Sequence, residues 1–436
     1  MRLPAFIRNN LLLKMTSLNS AVIAIRLVIS VFVQRLLSQM VGEAGIAKIG
    51  SLRNLTEMLQ SFSSVGFFSG VVKYVSEYRE DKEQLQKLFS TTTVITLFTS
   101  LLLFCIFFFG AGYLSETIFE TRDYVYLMKL LAVIVPVISM NRIFTGVVNG
   151  LSEYKKLASI DLISYGVSSA LTVILLLTHN LDGALVAIAI TPVLQFGVLL
   201  FIFLKTLREY VQFSKLKFKI PMAKELLAFS VMAFFSTVLL NYVEIDVRVM
   251  IQNKINIEDA GIWTGMTNIS KNYMVFSNAL FSLYVLPKFA GIYTKSDFKF
   301  ELTNIYKTLL PLFGAGMLLI YFLREFVILI VYPDFVGMEP LFKWQLLGDF
   351  VRLAAMILGY QFLAKRMVRN FIFTEILSLG LFYVFAYYLT DFYGVEGVVM
   401  AHFFRYIIYF MVVFYLVFRY FRKNPEKPKV ELDKKE

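Results

Sequence analysis

Thiols and imidazoles are nearly missing from this sequence. One cysteine, Cys105, and two histidines, His179 and His402, stand in 436 residues. A single thiol excludes an internal disulfide and any multi-thiolate metal site, and two histidines exclude a multi-histidine metal centre. Charge is also scarce, at 17% of residues, against about 25% in soluble domains. The chain holds no nucleophile–base pair, phosphate-cradling glycine loop or metal-ligand spacing, so neither an enzyme nor a resident cofactor is expected. What abounds is apolar: 58% hydrophobic residues with 44 Phe and 24 Tyr, and a mean hydropathy of +0.68. A water-soluble particle of this size cannot hide that much apolar surface. A soluble enzyme, a nucleic-acid-binding domain, a disordered chain and a disulfide-stapled secreted module are excluded. A polytopic, all-α membrane protein remains.

A membrane helix needs about 20 apolar residues. Twelve spans meet that need: 16–41, 44–72, 88–111, 124–150, 158–178, 182–204, 226–252, 260–287, 303–330, 341–363, 370–390 and 396–420. The second and eighth hold enough polar residues for hydropathy alone to pass over them. Loop charge supports the even count. With alternate loops assigned to two sides, 29 Lys and Arg fall on one side and three on the other. The positive-inside rule then puts both termini in the cytoplasm. The net charge of +12 is thus a membrane-surface feature and not a nucleic-acid signal. The first span is too long for a cleavable signal and lacks a small-residue cleavage site, so an uncleaved first helix is expected. The tail 421–436 is charged and expected to be disordered.

The sequence also repeats itself weakly. EAGI at 43–46 matches DAGI at 259–262, and Lys73-Tyr74 with Tyr78 matches Lys288-Phe289 with Tyr293. Arg35 and Gln39 pair with Arg248 and Gln252, and LMK at 127–129 pairs with LFK at 341–343. Every offset is close to half the chain. The spacing predicts two six-helix halves in a 6+6 parallel repeat around a central cavity. The halves would be an N-terminal bundle 1–204 and a C-terminal bundle 226–420, joined by a basic cytoplasmic linker 205–225.

An unpaired charge at the bilayer centre costs roughly 3 kcal/mol on insertion scales, so charged residues within spans face the bundle interior and carry function or pair with one another. Arg53–Glu57, Glu244–Arg248 and Asp349–Arg352 are spaced to pair within a helix. Asn54, Glu57, Ser61 and Ser64 form a polar stripe on the second helix. Gln345, Asp349 and Arg352 share one face of the tenth. Arg26, Arg142, Lys271 and Arg405 lack an obvious partner in their own helix, and four such cations suggest a cavity that attracts an anion. Arginine suits phosphate because its planar fork binds bidentately. Arg35 reads either as part of that cavity or as an anchor at the outer interface. Glu57, Asp246, Asp349 and Glu375 are the carboxylates placed to carry a coupling cation. His402 reads first as a satisfied interior histidine and, as the alternative, as a proton relay; Trp263 and Trp344 read as interfacial anchors.

The stretches 42–78 (GEAGIAKIGSLRNLTEMLQSFSSVGFFSGVVKYVSEY), 261–290 and 341–376 resemble Wzx-type lipid-linked oligosaccharide flippases of the O-antigen and enterobacterial common antigen branch. These belong to the multidrug/oligosaccharidyl-lipid/polysaccharide exporter superfamily. The resemblance implies translocation of an undecaprenyl-pyrophosphate-linked oligosaccharide from the cytoplasmic to the periplasmic leaflet of a bacterial inner membrane. It further implies alternating access, coupling to proton or sodium antiport, and a role in surface polysaccharide or lipopolysaccharide synthesis. The expected partners are the lipid-linked substrate, the coupling cation, membrane lipids, and a polysaccharide polymerase with its chain-length regulator. On this resemblance the cationic cavity comprises Arg26, Arg35, Arg53, Arg142, Arg248, Lys271, Arg352 and Arg405. The family pattern implies an acid where this chain has Lys271, a departure that argues against carboxylate coupling at that position. The alternative within the fold is a multidrug or cation exporter, which would favour acidic cavity residues. A membrane polymerase or ligase is disfavoured because no sizeable extramembrane loop exists.

Overall fold

Long apolar runs leave the backbone no partner but itself in a membrane, and a helix is the structure that satisfies it. The computed structural model describes residues 11–211, 216–365 and 367–423, and no strand occurs among them. Residues 212–215 of the expected linker and the tail beyond 423 lie outside the described residues. In chain order the helices are α1 (Leu11–Ser63), α2 (Phe68–Glu77), α3 (Lys82–Phe109), α4 (Ala111–Phe119), α5 (Val125–Gly150), α6 (Tyr154–Tyr210) and α7 (Ala223–Ala233). They continue with α8 (Leu239–Lys254), α9 (Ile257–Leu280), α10 (Leu286–Ala290), α11 (Lys295–Phe322), α12 (Arg324–Val331), α13 (Leu341–Ala364) and α14 (Val368–Lys423). A π-helical turn, Phe234–Val238, joins α7 to α8, and another, Phe281–Val285, joins α9 to α10.

Three of these helices are two-limbed. α1 breaks at Gly42 (φ 65°), α6 at Asn180 (φ 50°) and α14 at Gly394 (φ 57°). A straight helix separates residues eight apart by about 12 Å. Yet a β-carbon on Gly183 would overlap the carbonyl oxygen of Leu175, and one on Gly397 would overlap that of Leu389. The chain therefore doubles back at both places, and only glycine admits so close an approach. Eight helices among the described residues are long and apolar enough to cross a membrane. Counting the limbs of the three bent ones raises the crossings to eleven. The less apolar α9, the expected eighth span, completes twelve.

The repeat is plainer in the elements than in the residues. α3 and α11 each run 28 residues from a lysine to a phenylalanine. Each starts at a capped N-terminus: Asp81 accepts from the Glu83 and Gln84 amides at 3.0 Å, and Thr294 from the Asp297 amide at 3.1 Å. Each is followed by a short helix, α4 or α12. The bent helices α6 and α14 run 57 and 56 residues. Their turns, NLDG at 180–183 and GVEG at 394–397, have the same offset as LMK and LFK. In both turns the acid accepts from an aromatic donor: Tyr126 Oη to Asp182 at 2.8 Å, and Trp344 Nε1 to Glu396 at 2.8 Å.

By packing the chain divides into Met1–Val249 and Met250–Glu436, a boundary that falls within α8. Residues up to Val249 lie with the first unit because Glu244 and Arg248 bond to Asn54 and Ser51 of α1. The core of the first unit gathers around Phe67, Val71, Phe89, Val147 and Phe203. In the second, α13 packs along α14.

Candidate functional site

In the first unit, buried polar groups of α1 meet those of α8. Asn54 Nδ2 donates to Glu244 Oε2 at 2.7 Å and to the Asn241 carbonyl at 3.5 Å. Arg248 Nη1 donates to Ser51 Oγ at 3.3 Å, with Arg248 only 3% exposed. Helical spacing explains the match: Ser51 and Asn54 lie one turn apart, as do Glu244 and Arg248. Of the expected stripe, Asn54, Ser61 and Ser64 are buried while Glu57 is exposed. Arg53, Arg35 and Asp246 are half-buried.

Two of the cations without an obvious partner in their own helix, Arg26 and Arg142, find company from other helices. Arg26 on α1 lies over the Tyr165 ring of α6 at 4.8 Å, and Asp161, one turn away, acts on its charge. Arg142 on α5 lies over the Phe68 ring at 4.1 Å, with Glu57 as its electrostatic counterpart. Both guanidiniums are thus held at aromatic faces, an arrangement that stabilises a cation in a desolvated setting.

The second unit holds a tighter assembly centred on Asp349 of α13, which is 0% exposed. Its Oδ2 accepts from Ser270 Oγ and Tyr273 Oη of α9 and from Gln345 Nε2 at 3.0 Å. Its Oδ1 lies 3.0 Å from Nε2 of His402 on α14 and 3.8 Å from Arg352 Nη1. Arg405 Nη2 reaches His402 Nδ1 at 3.1 Å. The Arg405 guanidinium lies over the Phe382 ring at 4.2 Å and over the Tyr406 ring at 4.6 Å. Glu375 accepts from Tyr409 Oη at 3.5 Å and is drawn electrostatically to Arg405 and Arg352. Lys271 is exposed on α9. Among the described residues no group of three or more His, Cys, Asp or Glu could hold a metal ion.

The structure thus brings Asp349, Arg352, Glu375 and Arg405 together, and separately Glu244 and Arg248. Ser270 and Tyr273 escaped the sequence reading; their one signal was adjacency to Lys271 on an already polar helix. Tyr165 and Phe68, among 24 Tyr and 44 Phe, carry no sequence signal that would single them out. Trp263 corrects an expectation. It is not an interfacial anchor but 2% exposed, with its ring 6.5 Å from that of Phe382.

The sequence pattern of the family described as polysaccharide biosynthesis protein matches residues 12–292. The chain belongs to this family. It is 30% identical over 385 residues to the Lipid III flippase of Escherichia coli (strain K12), covering 87% of this chain and 91% of that one. The fold is that of known transporters. An inward-facing multidrug resistance MATE family transporter of the MOP superfamily superposes with a TM-score of 0.70 at 14% identity, covering 92% and 96% of the two chains. The lipid II flippase MurJ in its inward closed conformation superposes at 0.68 and 17% identity, covering 91% and 87%. The all-α, twelve-helix membrane architecture expected from the sequence is the architecture of this family member. The cations and carboxylates described above therefore sit within a multi-pass transporter fold.

Proposed function

We propose that this protein is a flippase for an oligosaccharide carried on undecaprenyl pyrophosphate, working in the bacterial inner membrane with both termini cytoplasmic. The observation that carries the reading is the identity with a Lipid III flippase along nearly the whole of both chains. The physical need agrees. Pyrophosphate cannot cross hydrocarbon unaided, because losing its hydration costs far more than thermal energy supplies. Guanidiniums within the spans would replace that hydration, while the polyprenyl tail stays in the bilayer.

The proposal includes an anion-binding substrate cavity formed by cations within the spans. Arg26, Arg35, Arg53, Arg142, Lys271 and Arg352, none of them fully buried, are its anion-binding residues. Arg248 and Arg405, which are buried, order the walls behind it. Glu57, Asp246, Asp349 and Glu375 carry the coupling cation, proton or sodium, whose loading shifts the population between inward- and outward-open states. Export of cationic drugs is the weaker reading, since the cations in the spans would repel such substrates. Assembly with a polymerase and chain-length regulator belongs to the same proposal.

Uptake of a short-tailed, pyrophosphate-linked oligosaccharide into vesicles containing the protein tests it. Wild type should show saturable uptake. Arg26→Ala should reduce it by roughly 10- to 100-fold, the loss of one charged hydrogen bond of about 1.5–3 kcal/mol. Absence of uptake together with efflux of a cationic dye would replace the flippase by the exporter.

A further inference from the structure

His402 is held in one protonation state by its two charged neighbours; the Gln345 amide lies farther off, 3.4 Å from Nε2. A carboxylate only accepts hydrogen bonds, so the ring nitrogen 3.0 Å from Asp349 Oδ1, Nε2, carries a hydrogen. A guanidinium only donates, so Nδ1, 3.1 Å from Arg405 Nη2, presents a bare lone pair. The imidazole is therefore neutral, and its one basic position is occupied by the Arg405 N–H. A proton reaching Nδ1 must take that place. It would leave an imidazolium facing a guanidinium at hydrogen-bond distance, where two donors repel.

We propose that His402 is a proton-binding site, and that proton uptake at Nδ1 displaces the Arg405 guanidinium. The step forms one N–H bond with a proton from water and breaks the Arg405 Nη2 hydrogen bond to Nδ1, together with the longer one, 3.4 Å, that the same Nη2 gives Tyr406 Oη. Asp349 stays in place, because Ser270, Tyr273 and Gln345 bind its other oxygen. It then pairs with the imidazolium. The charged and titratable groups around the ring are Asp349 and Arg352 from α13, Tyr273 from α9, Arg405 and Tyr406 from its own limb, and Glu375 from the first limb of α14. Two carboxylates face two guanidiniums, so the added proton unbalances a neutral cluster. Glu375 is the acid left to receive Arg405. The charge on His402 thus selects which partner holds Arg405, and with it how the two limbs of α14 are tied together. As the coupling site of transport this rests on the flippase reading; as a proton site it does not.

The chain has two tryptophans, and Trp263 reports on the site through Phe382, whose ring contacts both Arg405 and His402. In a Trp344→Phe background, the fluorescence of full-length protein in vesicles should change sigmoidally between pH 8 and pH 4. The change should vanish on adding His402→Gln, which keeps an amide donor but cannot titrate. Arg405→Gln removes the competing cation and should move the midpoint upward by about one pH unit or more. It serves also if His402→Gln does not fold. A flat trace in the Trp344→Phe protein, a transition that survives His402→Gln, or a midpoint unmoved by Arg405→Gln would each overturn the proposal. None of these readings uses transport, so failure of the flippase reading would register separately.

Discussion

Asp349 accepts four hydrogen bonds in a site closed to solvent, so its side chain is the residue whose loss the second unit tolerates least. Breaking a buried charged assembly by deleting one partner costs about 3–5 kcal/mol. Asp349→Ala should lower the thermal midpoint of the purified protein by many degrees in fluorescence-detected size-exclusion chromatography. Asp246→Ala, at a half-buried position, should leave it nearly unchanged. Similar losses for both would show that the Asp349 assembly is not what holds the second unit together. Much of this assembly was legible in the sequence, because Gln345, Asp349 and Arg352 repeat at helical spacing on one face. His402 was legible only as an interior histidine or a proton relay. Its relation to Asp349 joins positions 53 residues apart, which no local pattern encodes. Ser270 and Tyr273 are too common in membrane helices to stand out.

Among the elements, the sharp reversals at Asn180 and Gly394 set the tightest steric limits. Gly183→Ala and Gly397→Ala would each drive a methyl group into a backbone carbonyl of the preceding limb. Both should reduce the yield of folded protein recovered from membranes several-fold. Gly166→Ala and Gly380→Ala, where an added β-carbon meets nothing within 4 Å, should behave as wild type. Equal yields across the four variants would mean that the limbs do not pack as described. The gaps between expected spans fell on these turns and on Gly42, because short interruptions separated apolar runs of full length. The short helices α4 and α12 were not legible. They continue the apolar character of α3 and α11, and only a single residue, Gly110 or Leu323, separates them from those helices. The π-helical turns were hidden for a similar reason, since one extra residue per turn leaves composition unchanged.

Across the whole molecule, the sidedness of Lys and Arg makes a topological claim that labelling can check. In a Cys105→Ser background, Val336→Cys, in the segment between α12 and α13, should react with an impermeant maleimide added to intact cells. Phe218→Cys, between α6 and α7, should react only after permeabilisation. Both positions are well exposed. The reverse pattern would invert the orientation. The duplication was faint in sequence because apolar residues interchange freely where they face lipid. It is plain in the elements because helix length, capping and hairpin geometry are held by sterics. The central claim is that this fold moves a pyrophosphate-linked glycan, and one measurement bears on it most directly. Proteoliposomes containing the protein would be loaded with an undecaprenyl-pyrophosphate oligosaccharide labelled on its glycan, and the label reaching the opposite leaflet would be read with an impermeant glycan-modifying reagent. The account expects protein-dependent transfer that Arg26→Ala and Arg142→Ala each slow by at least tenfold. Transfer no faster than in protein-free liposomes, with the protein folded and a cationic dye moved instead, would contradict it.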